Sequence, residues 1–299
     1  MKTFLYLATI YLVWGSTYLA MRIGVMPGSG FPPFALGAAR LLIAGPILLF
    51  FSRMRGHKIF ISKRDMFDAA VAGLLMWLAG HGLILWSEQY VDSGYAALVI
   101  GSSPIWVMLI ESFIDRKYPR LTSMFFILLG FAGVALLVLP KMKGGSNSDF
   151  LSTILILLGT IGWGAGSIYQ QRRETKRISS FTRSGYQQLF AGIGFLIVSF
   201  CLGEPRPHPT ASAWIAWAYL LIFGSLIAFT VYVKALKELP IRVVMTHAYV
   251  NPIIAVILGA LILSERIEAV AIFGGILIIA SVLGVIMEKR PKALKEIRP

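Results

Sequence analysis

The chain is predicted to be an all-α integral membrane protein: ten transmembrane helices arranged as two inverted five-helix repeats. Three observations lead there. Of 299 residues, 57% are hydrophobic and only 14% charged, with a mean hydropathy of +0.75; soluble domains carry about 25% charged residues. The apolar residues gather into ten runs of about 20, the length needed to cross a bilayer core. And the sequence repeats itself, in order, at one nearly constant spacing.

The repeat is clearest around Asp92 to Glu111, DSGYAALVIGSSPIWVMLIE, an apolar run with Pro104 near its middle. Proline removes a helical hydrogen bond and crowds the preceding turn. A membrane helix tolerates it because neighbouring helices re-satisfy the freed groups. Pro240 to Gly259, PIRVVMTHAYVNPIIAVILG, returns the pattern. Ser103-Pro104-Ile105 aligns with Asn251-Pro252-Ile253 at a shift of 148 residues. Trp14-Gly15 recurs as Trp163-Gly164 at 149, and Ala44-Gly45 as Ala191-Gly192 at 147. Ordered matches at one spacing imply two homologous halves. They are residues 1–145 and 146–299, joined at the polar stretch Ser146 to Asp149 after Lys143-Gly144-Gly145.

The spans are expected at about 4–24, 33–52, 67–89, 93–114, 121–139, 150–171, 181–202, 212–234, 241–263 and 268–287. The first run has no clear small-residue cleavage site after it, so it is expected to be a retained helix and not a signal peptide. Of the 28 lysines and arginines, 22 fall at one set of span ends, five at the other, and Arg40 lies within a span. That bias predicts both termini in the cytoplasm of a multi-pass membrane protein, with the tail beyond Glu288 as a lipid-facing anchor. The basic residues sit in short clusters between apolar runs, which excludes a nucleic-acid face in favour of the bilayer as partner. Five spans per half is an odd number, so the two copies enter the membrane in opposite senses. Such inverted repeats place a substrate site between the halves, near the midplane. Small residues expected to let helices approach include Gly80, Gly82, Gly130, Gly133, Gly159, Gly162, Gly164, Gly166, Gly274 and Gly275.

Polar groups inside spans are costly and are therefore functional candidates. Arg40, on the second span, could hold a carboxylate or phosphate bidentately, or could tie two helices together. His81, between glycines in WLAGHGLIL, could pass a proton or pack against a neighbour. Glu88 stands two turns further on, a coupling or gating candidate whose commoner role is a hydrated residue at the membrane edge. His247 is a second coupling or gating candidate. Tyr249 and Asn251 precede Pro252, as Ser102 and Ser103 precede Pro104. Polar groups beside repeat-related prolines suggest a midplane site with Pro104 and Pro252 as hinges; alternatively they only re-satisfy backbone at each kink. Trp14 and Trp163 are repeat-related, lie near mid-span, and could flank a cavity or simply pack. Gln187 takes the place that Arg40 holds in the first half, so the site should be electrostatically lopsided.

No Walker loop, nucleophile elbow or zinc-helix motif occurs. The single cysteine, Cys201, permits no internal disulfide and no Cys/His metal set. No enzyme activity, cofactor or metal is expected, and transport would run on gradients or exchange.

WGSTYLAMRIG at Trp14 to Gly24, ARLLIAG at Ala39 to Gly45, SSPIW around Pro104 and AYVNPIIAVILGALILSE from Ala248 to Glu265 together resemble the ten-span EamA-type exporters of the drug/metabolite transporter superfamily. The subgroup is similar to YedA-like permeases and, more distantly, to YddG-like amino-acid exporters. The resemblance implies ATP-independent export of small metabolites, amino acids or drugs. Arg40 and Asn251-Pro252 fall on the family's motif positions. The first-half counterpart of Glu265 is Lys117, so that element is not symmetric. The expected function is a secondary transporter of small molecules by alternating access, with proton coupling through Glu88 or His247, as a monomer or homodimer. The substrate site would draw on Trp14, Arg40, His81, Ser103, Trp163, Tyr249 and Asn251. An anionic-metabolite or nucleotide-sugar exchanger is the alternative.

Overall fold

The computed structural model describes residues 2–116, 121–144, 147–173 and 177–288. Among these residues it is all helix and turn, with no strand. Eight helical segments are long and apolar enough to cross a membrane. They are α1 (Lys2–Val25), α2 (Pro33–Met54), α3 (Lys63–Ser87), α4 (Ser93–Ile114), α6 (Asn147–Arg172), α7 (Ser180–Cys201), α8 (Ala211–Glu238) and α9 (Ile241–Leu263). Two further helices, α5 (Leu121–Gly144) and α10 (Ala269–Glu288), are apolar over Leu121–Leu137 and Ala269–Ser281. The join expected as a loop from Ser146 is shorter: α5 runs to Gly144 and α6 begins at Asn147. Gly145, Ser146, Lys117 and the tail after Glu288 lie outside the described residues.

Local chemistry starts and stops these helices. Ser62, Ser179 and Thr210 each accept a backbone N–H from the third residue on, at 3.1, 3.1 and 3.3 Å. That satisfies one orphan donor at the start of α3, α7 and α8. Pro33 opens α2, where a missing N–H costs nothing. Two helices carry π-helical turns, Leu74–Gly82 in α3 and Leu220–Ala228 in α8, at a shift of 146 residues. The candidate hinges sit differently. α4 breaks at Gly101–Ser102 and resumes at Ser103, so Pro104 occupies a first turn. α9 breaks at Met245–Thr246 and carries Pro252 inside its next helical stretch.

Helix packing turns on glycine. A Cβ at Gly133 would fall 2.6 Å from the Gly274 carbonyl and one at Gly159 2.6 Å from the Gly80 carbonyl, so these backbones touch. The principal pairings are α2–α7, α3–α6, α5–α10, α8–α1, α3–α7, α8–α2, α1–α9, α6–α4 and α4–α9. This pattern is unchanged when every helix is exchanged for the one five places along. Large apolar side chains such as Phe4, Phe50, Phe113, Phe200 and Phe273 face outward, whereas Arg40, Glu88, Gln187, Gln188 and Asn251 are buried. The bundle thus sets polar side chains within an otherwise apolar core and turns large apolar ones outward, where a bilayer would meet them.

Ties between the halves close both ends. At the lysine- and arginine-rich end, Ser52 Oγ bonds Ser179 Oγ (2.9 Å) and Thr182 Oγ1 (2.7 Å), and Tyr169 donates to Asp68 (2.6 Å). Arg172 pairs with Asp115 at 2.7 Å. At the opposite end, the loops meet through His208 N–H to Gly30 O (2.8 Å) and Thr210 N–H to Ser29 O (2.9 Å). Here Glu204 accepts from the backbone of Phe34 (3.0 Å) and Ala35 (2.8 Å) and from Ser199 Oγ (2.7 Å), capping α2 from the other half. Glu204→Ala is expected to lose about 1–2 kcal/mol of stability. A thermal melt in detergent should show it as a fall of a few degrees, and substrate affinity should not change, because Glu204 lies away from the cavity described next.

Candidate functional site

Between the halves lies a cavity of about 60 Å³, walled by Trp14, Thr17, Tyr18, Met21, Arg40, Trp77, His81, Ile84, Ile100, Ser103, Thr160, Trp163 and His247. These residues come from α1, α2, α3, α4, α6 and α9. One end of the wall is aromatic. Trp14 meets Trp163 edge to face at 5.3 Å and His247 at 5.3 Å, and Trp77 meets Trp163 at 5.9 Å. Tyr232 stands behind them: its hydroxyl accepts from Trp163 Nε1 (3.0 Å) and bonds Ser167 Oγ (2.6 Å), fixing the indole's orientation.

Arg40 is the charge in this wall and is buried. Its Nε donates to Ser225 Oγ at 2.6 Å, and Nη1 lies 3.1 Å from His81 Nε2. Arginine carries only donors, so that histidine nitrogen is the acceptor and the proton sits on Nδ1. The guanidinium also stacks over the Trp77 ring, 4.9 Å from its centroid. Ser225 is held in turn, because its carbonyl accepts from Gln188 Nε2 at 3.2 Å. Among the described residues Arg40 has no carboxylate partner. A buried cation stabilised only by neutral dipoles and a π-face has capacity left for an anion. Gln187, the second-half counterpart of Arg40, donates instead to Gln170 at 2.5 Å, so the two halves differ in charge at this depth.

The structure gathers Trp14, Arg40, His81, Ser103, Trp163 and His247 around one space. His247 Nδ1 bonds the Val244 carbonyl (2.9 Å). Ser102 and Ser103 donate to the carbonyls of Val99 (2.7 Å) and Ile100 (2.5 Å), the latter left without its helical donor by Pro104, so their hydroxyls serve the backbone although Ser103 still lines the wall. Asn251 stands outside the lining. With its amide oriented to satisfy both ends, it donates to the carbonyls of Tyr11 and His247 at 3.1 Å each. It also bonds the side chain of Tyr18, which does line the cavity. Tyr249 is not part of the wall either, and its hydroxyl has no partner among the described residues.

Glu88 corrects an expectation. In place of a hydrated edge residue it is fully buried, at the C-terminal end of α3 one turn beyond Ile84. The reason is tertiary: α1 lies over that end of α3, with Arg22 Nη1 donating to the Glu88 carbonyl. Sequence reasoning also passed over Ser225, Thr160 and Tyr18. Ser225 sits beside Gly224 in an otherwise apolar run, the one local mark that another group approaches there: a Cβ at Gly224 would fall 2.7 Å from Arg40 Nη2.

Comparison with known proteins agrees with this architecture. The model of the EamA-like transporter family matches residues 1–139 and 150–287. The uncharacterized inner membrane transporter YedA of Escherichia coli (strain K12) is 34% identical over 282 residues, covering 93% of this chain and 88% of its own. The uncharacterized transporter YoaV of Bacillus subtilis (strain 168) is 23% identical over 281 residues, 93% and 94% of the two chains. A solved crystal structure matches 96% of this chain and 97% of its own with a TM-score of 0.69 at 20% identity, a likeness of fold. A bundle of apolar helices around a few buried polar side chains, two matched stretches that span nearly the whole chain, and relatives that share most of its length lead to one conclusion: this chain is a multi-pass membrane protein of the EamA-like transporter family.

Proposed function

We propose that the protein is a secondary transporter that exports small carboxylate-bearing metabolites, amino acids among them, by alternating access between two oppositely oriented five-helix halves. The observation that carries this reading is Arg40: a buried guanidinium without an acidic partner among the described residues, facing a cavity between the halves and backed by Trp77. The guanidinium would take the substrate carboxylate, and Trp14, Trp163 and His247 would contact the remainder.

Several features support the two-half reading. The helix pairing is symmetric under a shift of five, the π turns recur 146 residues apart, and the family model covers both halves. On this reading α5 and α10 also span, giving ten helices. The lysine- and arginine-rich end faces the cytoplasm with both termini, as the basic bias favours, and the named location of the relative supports an inner membrane. Both ends are tied between the halves, so on this reading loading requires one end to open. The ties at the two ends would break in turn.

The test is counterflow in proteoliposomes preloaded with labelled amino acids, other small carboxylates, nucleotide sugars and carboxylate-free amphipathic cations. Exchange of a carboxylate that fails in Arg40→Ala is the expected result. Exchange confined to the cations would remove Arg40 from the site and turn the function to drug export through the aromatic wall. Exchange of nucleotide sugars alone would replace the amino-acid reading by an anionic-metabolite exchanger.

A further inference from the structure

The end of the bundle opposite the basic one holds a buried acid that the cavity chemistry does not use. Glu88 is 0% exposed, and neither carboxylate oxygen has a hydrogen-bond partner among the described residues. An ionised carboxylate in that position would lack both water and donors, which is prohibitive; the closed structure therefore holds Glu88 as the neutral acid. The groups that face it are few. From α1 come Arg22, whose guanidinium binds the Glu88 carbonyl, and Tyr18, which lines the cavity. From the α9–α10 connection comes Glu265, and the α3–α4 connection itself carries Asp92. α2 and α6 meet this part of α3 through apolar contacts, Phe34 at Gly82 and Gly159 at Ile84.

Glu265 is itself a fastener. Its carboxylate accepts from Ser93 N–H (3.0 Å), Ser93 Oγ (2.8 Å) and Gly94 N–H (3.2 Å), capping the α4 N-terminus from the other half. It reaches there because α9 ends in a left-handed residue, Ser264 (φ 56°), which folds the chain back so that Glu265 N–H bonds the Gly259 carbonyl at 3.1 Å. The absence of a side chain at Gly259 leaves the space the carboxylate fills: a Cβ there would collide with Glu265 Oε2.

We propose that Glu88 is the binding site for a coupling proton and that, with Glu265, it forms a proton-operated latch on this end of the transporter. With the proton on Glu88, Glu265 stays on Ser93 and Gly94. When Glu88 gives its proton to water at this end, its new charge adds to that of Glu265. The new charge requires hydration, Glu265 leaves α4, and this end opens on the cavity through Tyr18 and Ile84. The proton returns when the end closes. The closed form binds the proton more tightly than the open one, so raising the pH favours opening, by up to tenfold in the population ratio per pH unit for one proton.

This inference rests on the transport reading for its purpose but is tested without transport. Spin labels at Tyr90→Cys and Val270→Cys, both exposed positions, in a Cys201→Ser background report the distance across the latch in nanodiscs between pH 5 and 9. A short distance at low pH that gives way to a longer one at high pH is expected. Glu88→Gln, which keeps the neutral form, should hold the short distance at every pH. Gly259→Ala, which displaces Glu265 with Glu88 intact, should give the longer distance even at pH 5. A wild-type distance independent of pH, or a Glu88→Gln protein that still responds, overturns the latch. If the latch responds as stated while no substrate of any class undergoes counterflow, the transport reading fails and the proton site stands.

Discussion

If the protein carries a carboxylate as proposed, Arg40→Ala is expected to reduce its counterflow about a hundredfold. A hydrogen bond to a charged group is worth about 1.5–3 kcal/mol, and every ~1.4 kcal/mol is tenfold in affinity. Deleting a bidentate grip on a carboxylate in a buried site therefore removes about two decades. Arg40→Lys keeps the charge but not the fork. One ammonium cannot hold Ser225 Oγ and His81 Nε2 together and still present two donors to a ligand. It should retain about a tenth of wild-type transport. Gly224→Ala offers an independent probe, because its Cβ would fall 2.7 Å from Arg40 Nη2 and displace the guanidinium without removing its charge. Affinity should fall with little change in melting temperature. Initial rates of exchange and ligand-induced thermal shifts measured on the same variants separate these outcomes. Full carboxylate transport by Arg40→Ala would assign the arginine to helix packing alone.

Gly73→Ala is expected to be the most damaging single methyl group on the α3–α7 contact. A Cβ at Gly73 would collide with the carbonyl oxygen of Gln187 and would lie 2.8 Å from its Cα and 2.9 Å from its carbonyl carbon. These are backbone atoms inside a long helix and cannot rotate away, so α3 and α7 must move apart. Overpacking of this kind costs about 1–3 kcal/mol and occasionally more, against about 1 kcal/mol that alanine gains over glycine within a helix. At roughly 2–4 °C per kcal/mol, the melting temperature should fall by several degrees. Gly194→Ala is the matched control. Its Cβ meets only Leu74 Cδ2 and Leu78 Cδ2, both at 3.0 Å, and these are ends of flexible side chains. A Gly194→Ala melt as low as that of Gly73→Ala would show that backbone contact is not what limits this interface.

The composition, the ten apolar runs and the small residues were enough to read an all-helical membrane bundle and to name the glycines at which helices touch. Gly80, Gly133, Gly159 and Gly274 all sit at backbone contacts. Length and hydropathy act locally, through the cost of exposing a peptide group to lipid, and so are written into each segment. Six residues of the cavity wall were legible for a related reason: Arg40, His81, Ser103 and His247 are polar within apolar spans, and Trp14 and Trp163 are repeat-related indoles near mid-span.

Everything that depends on how one helix lies against another had to wait for the tertiary structure. Pro104 and Pro252 look equivalent in sequence, yet only Pro104 starts a new helical stretch, because the breaks follow the packing of α4 and α9 and not proline alone. Nothing in LLMWLAGHG or LLIFGSLIA announces a π turn. Asn251 carries the motif but spends its amide on the carbonyls of Tyr11 and His247, whereas Ser225, in an otherwise apolar run, holds Arg40. Glu88 and Glu265 stand 177 residues apart in the chain, yet Glu265 caps the helix that begins five residues after Glu88. Which buried acid lacks a partner, and which one caps another half's helix, are sums over neighbours from distant segments, and no local pattern of residues encodes that sum.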